Sequence, residues 1–503
     1  MAGAHRLSPL DASFLHLETP NNHMHIGGVA IFEPSPLGSG EALYKGISAL
    51  IETRLELMPR YRQKVAFIPL SLDIPVWVDD PDFNISNHVL HAAVPSPGGD
   101  HEIQDLVARL FSVQLDRGRP LWEMYVVEGL SGGRWALISK THHSMVDGMS
   151  NLELATVLLD VEPTPSTSGM KVSRWEPPSG PSALELLIQS MADRLKRPGK
   201  LLNAAKAVME NPRGLADSLR DTASGLAVTA RTVRTDKSVL NGSIGPSRVY
   251  TYRRASLEDF RLVKSTFGGT INDVVLAAVT GGLREFLAIR GYDPDEESLQ
   301  ALCPVSIRDA SEKSALGNRL AMMLVKLPLK QKDPVKRLEK VRATVDHLKA
   351  RKQAVGADFL LKLAGFAPST LHAMVARSAI GQVGFNLVVT NVPGPQFPLY
   401  CQGSRLMEAF PVAFLYDGQQ VAIAIFSYCG YLNFGYIGDK KGMADMELLA
   451  DCVDKGLREL VAAAHRKAAP PQPEPAKFAI KKTPPKTPKS TRATHKVTAG
   501  ASS

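Results

Sequence analysis

The stretch THHSMVDGMS, residues 141–150, sets two histidines side by side and follows them, after three residues, with Asp147 and Gly148. Just upstream, RWALISKTHH reads as a β-strand, and LWEMYVVEGL before it reads as a second. The Ser-Gly-Gly between them fits a hairpin turn. Downstream, SNLELATVLLD opens a helix in which Ser150 and Glu153 have capping-box spacing. Side chains alternate along a strand, so His142 and His143 are expected on opposite faces, one for packing and one for chemistry. The same alternation argues against a metal site, because metal ligands must converge on one ion. A histidine at a strand end, before a turn into a helix, sits where loops form crevices. Its neutral imidazole can take a proton from a hydroxyl near neutral pH. Spacing alone leaves open a histidine-rich strand end without a function.

Gly129–Gly133 matches the G-x-S-x-G nucleophile elbow, but that motif needs a strand-turn-helix setting. Ser131 lies instead in the hairpin, so a serine acyl-enzyme is not favoured.

Further out, LYKGISALIETRLELM carries Leu43, Ile47, Leu50, Ile51 and Met58 at helical spacing, with Pro59 as its stop. EIQDLVARLF is a second amphipathic helix, and IPVWV between the two is a strand. Loop-like EPTPSTSG and EPPSGPS follow, then a helical stretch broken by Pro198 and Pro212, with six basic residues and one acid between Arg194 and Arg213. That stretch is read as either a basic membrane-facing surface or a solvated connector. A second mixed segment holds the helix TINDVVLAAVTGGLREFL, starting near Asn272, and the strands LCPVSI, AMMLVKLPL, FNLVVTNV and QVAIAIFSYCGYLNFGYI. The last of these is broken by Ser427, Asn433 and glycines, and does not read as a membrane helix.

At 503 residues, with 44% hydrophobic and 22% charged residues, the chain suits a soluble protein of two or three domains. Four scattered cysteines with no C-x-x-C argue against a disulfide framework or a cysteine zinc site and fit a reducing compartment. The N-terminus carries Asp11 and Glu18 and no apolar core, so no signal peptide is expected. Of the net charge of +9, the segment from Arg466 onward holds +8, leaving a nearly neutral body and a basic, proline-rich tail. Such a tail can hold a polyanion or an anionic membrane surface by charge alone, and it is expected to be disordered.

HHSMVDG fits the pattern HHxxxDG of chloramphenicol-acetyltransferase-like acyltransferases. Its surroundings resemble one branch of them. LSPLDASFLHLE, PLWEMYVVEGL, TINDVVLAAVTGGLR, CPVSIR, GNRLAMMLVKLP and NVPGPQFPLY, in order from about Leu7 to His465, look like the bacterial wax ester synthase/acyl-CoA:diacylglycerol acyltransferases, the actinobacterial triacylglycerol synthases in particular. The resemblance implies an α/β protein of two similarly folded domains with the reaction centre between them. The expected boundaries are 1–165 for a first domain carrying the histidine motif and 166–245 for a helical connector. A second domain at 246–465 and the tail at 466–503 complete the division.

The resemblance also implies transfer of a fatty acyl group from acyl-CoA, a substrate rather than a cofactor, to diacylglycerol or a long-chain alcohol. His143 matches the general base. Asn272 is expected as an oxyanion donor or, alternatively, a helix cap. His142, Asp147, Gly148, Asp273 and Arg308 are expected to support the site, with Arg308 as the partner of Asp147. No metal and no nucleic-acid partner are expected. The expected setting is cytoplasmic, peripheral on membrane or lipid droplets. A carrier-dependent condensation-type enzyme and a non-catalytic lipid-droplet surface protein are the alternatives.

Overall fold

The computed structural model describes residues 5–69, 73–145, 157–164, 181–182, 184–188, 238–306, 320–350 and 384–468. The first half holds β1 (His5–Arg6), α1 (Pro9–Leu17), β2 (His25–Phe32), α2 (Glu41–Arg54), β3 (Gln63–Ala66), β4 (Val76–Asp79), β5 (Val89–Ala93), α3 (Asp100–Phe111), β6 (Trp122–Glu128) and β7 (Trp135–His142). The second holds β8 (Arg248–Ser256), α4 (Leu257–Phe267), α5 (Ile271–Ile289), β9 (Gln300–Ser306), β10 (Leu320–Lys326), α6 (Pro334–Ala350), β11 (Leu387–Val392), β12 (Tyr400–Cys401), β13 (Ser404–Val412), β14 (Val421–Tyr428), β15 (Tyr431–Asp439) and α7 (Met446–Ala468).

Two six-stranded mixed sheets carry the fold, in the orders β12-β13-β2-β7-β6-β5 and β10-β9-β11-β14-β15-β8, beside a small β1-β4-β3 sheet. Within the described residues the expected strands and helices are present, with two adjustments, while most of the SNLELATVLLD helix and of the connector lies outside them. The α2 helix ends at Arg54 and tightens into a 3-10 turn at Leu55–Leu57, before Pro59 is reached. The strand of the histidine motif ends at His142, and His143 opens a 3-10 turn. Ser131 lies in the β6–β7 hairpin, with Gly132 and Gly133 both at positive φ, so no strand-turn-helix elbow forms there.

Strand β13 comes from the second half of the chain but pairs antiparallel with β2 in the first sheet. The halves are thereby stitched together. A shared cluster of Val29, Ile138, Tyr250, Val388, Phe410 and Ile437 fills the seam between the sheets. The sheets approach so closely that a Cβ on Gly435 of β15 would fall 1.8 Å from the Pro411 carbonyl oxygen of β13. Only a residue without a side chain fits there.

Helix α5 is apolar on nearly all sides because it lies inside the second half's core. Val274, Val279 and Leu283 are fully buried, each contributing roughly 1.5–3 kcal/mol relative to exposure. Gly282 lets α7 pack directly on it, since a Cβ there would lie 2.5 Å from the Val453 Cα. This burial fixes the N-terminal end of α5, where Asn272 stands.

Candidate active site at the seam between the two sheets

His142 ends β7 directly opposite His25 of β2, so the two rings share the face turned toward the seam. Their centroids are 6.0 Å apart. The His142 ring is buried, and its Nδ1 accepts from the Ser144 backbone N–H at 3.1 Å, with the Ser144 hydroxyl 2.7 Å away. An accepting Nδ1 places the ring proton on Nε2. That nitrogen faces Glu18 Oε1 at 3.6 Å, an electrostatic approach too long for a hydrogen bond.

His143 has a different environment. Its backbone N–H donates to the Met24 carbonyl at 2.8 Å, which pins the start of the 3-10 turn to the chain before β2. Its half-buried ring packs against Phe14 of α1 at 4.2 Å and Phe414 at 5.4 Å. Phe414 follows β13, so this wall comes from the second half of the chain. The two histidines thus have separate roles in packing, but the cause is the end of the strand rather than continued alternation along it.

Burial pushes the His143 pKa down to about 4, helped by neighbouring His142 and opposed by a hydrogen bond to its own backbone. Burial therefore favours the neutral ring, which has an unprotonated nitrogen able to act as a base. No carboxylate is bonded to this ring among the described residues, so no triad-like arrangement is present there.

On the second half, the N-terminus of α5 is closed by a reciprocal box. Thr270 Oγ1 accepts from the Asp273 backbone N–H at 3.2 Å, and Asp273 Oδ2 accepts from Thr270 N–H at 2.7 Å. The cap is therefore Thr270, supported by Asp273, and the alternative of Asn272 as the cap is corrected. Asn272 is free for another task. Its Oδ1 accepts from Asn391 Nδ2 at 2.8 Å, which leaves its own amide N–H groups available. Asn391 is carried by β11, and the following loop is anchored on β14. Gly394 N–H donates to Ser427 Oγ at 3.0 Å, and a Cβ on Gly394 would strike the Phe426 ring at 2.4 Å. No hydrogen bond joins Asn272 to His143; they belong to opposite halves. Asp147, Gly148, Arg308 and the Ser150–Glu153 box lie outside the described residues.

Sequence reasoning passed over Glu18, which sits at the C-terminal end of α1 with its side chain 1% exposed. Its Oε2 accepts from Arg117 Nη2 at 2.6 Å, Arg117 Nε at 3.1 Å and Gln114 Nε2 at 2.9 Å. Its Oε1 accepts from the Met24 backbone N–H at 3.2 Å and lies 3.3 Å from His25 Nε2. Burial alone would raise this carboxyl, but His142, His25 and Arg117 outweigh it and hold Glu18 well below the usual carboxylate range. Burial lowers His25 to about 3, so that ring is neutral beside an ionised carboxylate. An acid directly following Leu17 at the C-terminal end of α1, where the helix dipole disfavours it, was the available signal. Asn391 and Phe414 were also missed, because each meets its target only through tertiary packing: Asn391 reaches Asn272 from β11, and Phe414 reaches His143 across the halves.

Among the described residues, no group of three or more His, Cys, Asp or Glu side chains is placed to hold a metal ion. No helix there is long and apolar enough to cross a membrane.

Residues 7–275 match the catalytic domain of the wax ester synthase/diacylglycerol acyltransferases, and residues 316–461 match the C-terminal domain of the same family. A Mycobacterium tuberculosis (strain H37Rv) protein named as the probable diacylglycerol O-acyltransferase tgs1 is 34% identical over 465 residues, which is 92% of this chain and 96% of that one. The tgs2 protein of the same strain is 32% identical over 461 residues, covering 90% and 98%. The fold is similar to the wax ester synthase/diacylglycerol acyltransferase of Marinobacter aquaeolei VT8, with a TM-score of 0.65, 26% identity, and coverage of 92% of this chain and 100% of that one. A trichothecene 15-O-acetyltransferase of Fusarium sporotrichioides shares the fold at a TM-score of 0.56 and 12% identity, covering 91% and 95%.

Proposed function

The chain belongs to the wax ester synthase/diacylglycerol acyltransferase family, and from that premise we propose that His143 is the base of an acyl-CoA-dependent O-acyltransferase. The enzyme moves a fatty acyl group from the CoA thioester to the hydroxyl of diacylglycerol, giving triacylglycerol, or to that of a long-chain alcohol, giving a wax ester. The observation that carries the role of His143 is the place of its ring at the seam, flanked by Phe14 and Phe414, where burial favours the neutral form.

The unprotonated ring nitrogen takes the proton of the acceptor hydroxyl as that oxygen bonds to the thioester carbonyl carbon. The carbonyl electrons move onto oxygen. Collapse of this oxyanion breaks the C–S bond, and the leaving thiolate takes the proton back from the imidazolium. Atoms and charge balance, and the route needs no resident cofactor. A positioned base of this kind contributes roughly 10²–10⁴-fold.

Asn272 is the donor for the oxyanion. Its Oδ1 is engaged by Asn391, which leaves its N–H groups for the oxyanion at the positive end of α5. Asp273 secures that helix end through the capping box. Phe14 and Phe414 keep water from the base, which matters because water would hydrolyse the thioester. Asp147, with Gly148, shapes the turn after His143, and Arg308 is its proposed partner.

The proposed setting is the surface of a membrane or lipid droplet, where acceptor lipid is found. In the connector, residues 184–188 are helical; Leu186 docks on Ile68, Val76 and Val78, while Leu184 and Ile188 remain 64% and 57% exposed. These apolar side chains, with the basic residues that follow in sequence, suit an anionic lipid surface.

The test is radiolabelled oleoyl-CoA supplied with diolein or hexadecanol, with lipid products separated by chromatography, for the wild type and His143→Ala. Ester formation that falls at least about 100-fold in the variant, with an unchanged circular dichroism spectrum, supports the assignment. Undiminished turnover by His143→Ala would overturn it.

A further inference from the structure

Glu18 is an expensive residue to keep. Burying an ionised carboxylate costs several kcal/mol before its partners offset the loss, and a replacement by apolar residues is often no less stable. It also closes the C-terminal end of α1, where the helix dipole disfavours negative charge. Helix stability therefore does not explain it. Its contacts do. Arg117 and Gln114, on the loop after α3, grip Oε2 from one side. Oε1 meets the Met24 N–H just before β2, the His25 ring on β2 and the His142 ring at the end of β7.

Two of these attachments, Met24 and His142, adjoin His143 directly, and α1 itself supplies a third route. The Met24 carbonyl accepts the His143 N–H. His142 precedes it in the chain. The helix that Glu18 closes carries Phe14, whose ring lies against the His143 ring. We propose that Glu18 is a positioning residue: its carboxylate ties α1, β2 and the end of β7 into one unit, faces the His142 Nε2 electrostatically at 3.6 Å, and so fixes the direction in which the His143 ring is presented at the seam. This rests on the reading of His143 as the base. Because Glu18 does not touch the reacting atoms, it acts on turnover rather than on substrate affinity.

Glu18→Gln keeps the size but places an amide NH₂ against donors on one side or the other. Either the guanidinium and the Gln114 amide, or the Met24 N–H and the imidazole Nε2–H, then face a donor. The experiment compares Glu18→Gln, Glu18→Asp, His142→Ala and the Glu18→Gln/His142→Ala double variant in the full-length chain. Oleoyl-CoA and diolein are used, with kcat and KM measured separately and thermal melts recorded alongside.

The expected result is a kcat lower by at least about tenfold in Glu18→Gln, with KM for each substrate within about threefold, as a misplaced base predicts. Glu18→Asp, which retains the charge, should recover part of that loss. In the His142→Ala background the same change should cost clearly less than in the wild type, because the path through His142 is already cut. A kcat loss that multiplies unchanged in the double variant, or a lower melting temperature with wild-type kcat, would overturn the proposal and leave Glu18 a structural residue. If Glu18→Gln does not fold, Glu18→Asp decides alone: a folded variant with wild-type kcat refutes the idea. Should His143→Ala retain activity, the base assignment falls first. If that variant is dead while Glu18→Gln turns over normally, the positioning role alone fails.

Discussion

Removing the Phe14 ring tests whether burial sets the basicity of His143. In the intact protein the ring is 4.2 Å from the imidazole, and burial is the leading cause that brings His143 to about 4. Phe14→Ala lets water reach the ring and stabilises the imidazolium, so the pKa rises toward the ordinary value of about 6.5. Activity requires the neutral form, so the acidic limb of the kcat/KM profile lies at the folded pKa of the free enzyme. With a pKa of about 4, roughly nine-tenths of the molecules are competent at pH 5. A pKa of about 5.5 leaves roughly a quarter, and full return to about 6.5 leaves roughly 3%. The ratio of activity at pH 5 to that at pH 8 should therefore fall at least about threefold in Phe14→Ala.

The truncation also leaves a cavity that costs up to about 3–5 kcal/mol, so initial rates belong at low temperature with a melt at each pH. Superimposable acidic limbs for wild type and variant would refute the reasoning. So would a wild-type limb already near pH 6.5. The same shift has a sign for stability. The unfolded chain binds a proton at His143 more readily than the folded one. The contribution of the neutral buried ring is therefore complete above about pH 6.5 and is lost as pH falls toward about 4.

Three other outcomes are expected. Asn391→Ala releases the Asn272 amide and should lower kcat by roughly 10-fold, while Asn272→Ala should lose up to about 10²–10³-fold, both read from steady-state rates. Gly282→Ala forces a methyl to within 2.5 Å of the Val453 Cα and should destabilise the second half by about 1–3 kcal/mol or more, seen as a lower urea midpoint. Deleting residues 469–503 should leave activity on detergent-dispersed substrate nearly unchanged but weaken co-sedimentation with anionic vesicles, most strongly at low salt. Equal vesicle binding by both forms would place lipid attachment in the body of the protein.

The hairpin that ends at the histidines, the amphipathic helix α3 and the buried helix α5 were all legible in the sequence. Each rests on local periodicity, and periodicity follows from which face of an element meets water. The order of family-like motifs likewise carried the acyl-transfer reading without coordinates. Tertiary structure alone decided how the sheets interlock. The pairing of β13 with β2 joins residues far apart in the chain, and neither strand's pattern names its partner. That pairing brings Phe414 to the ring of His143. Tertiary structure also separated Asn272 from the capping role: Thr270 lies two residues earlier and takes the cap, while Asn391, more than a hundred residues later, takes the amide. Glu18 shows the same limit most plainly. Its type and position are visible in LSPLDASFLHLE, but its ionised state depends on Arg117, Gln114, His25 and His142. A buried charge is set by the groups that replace its water, and in this protein those groups come from three separate places along the chain.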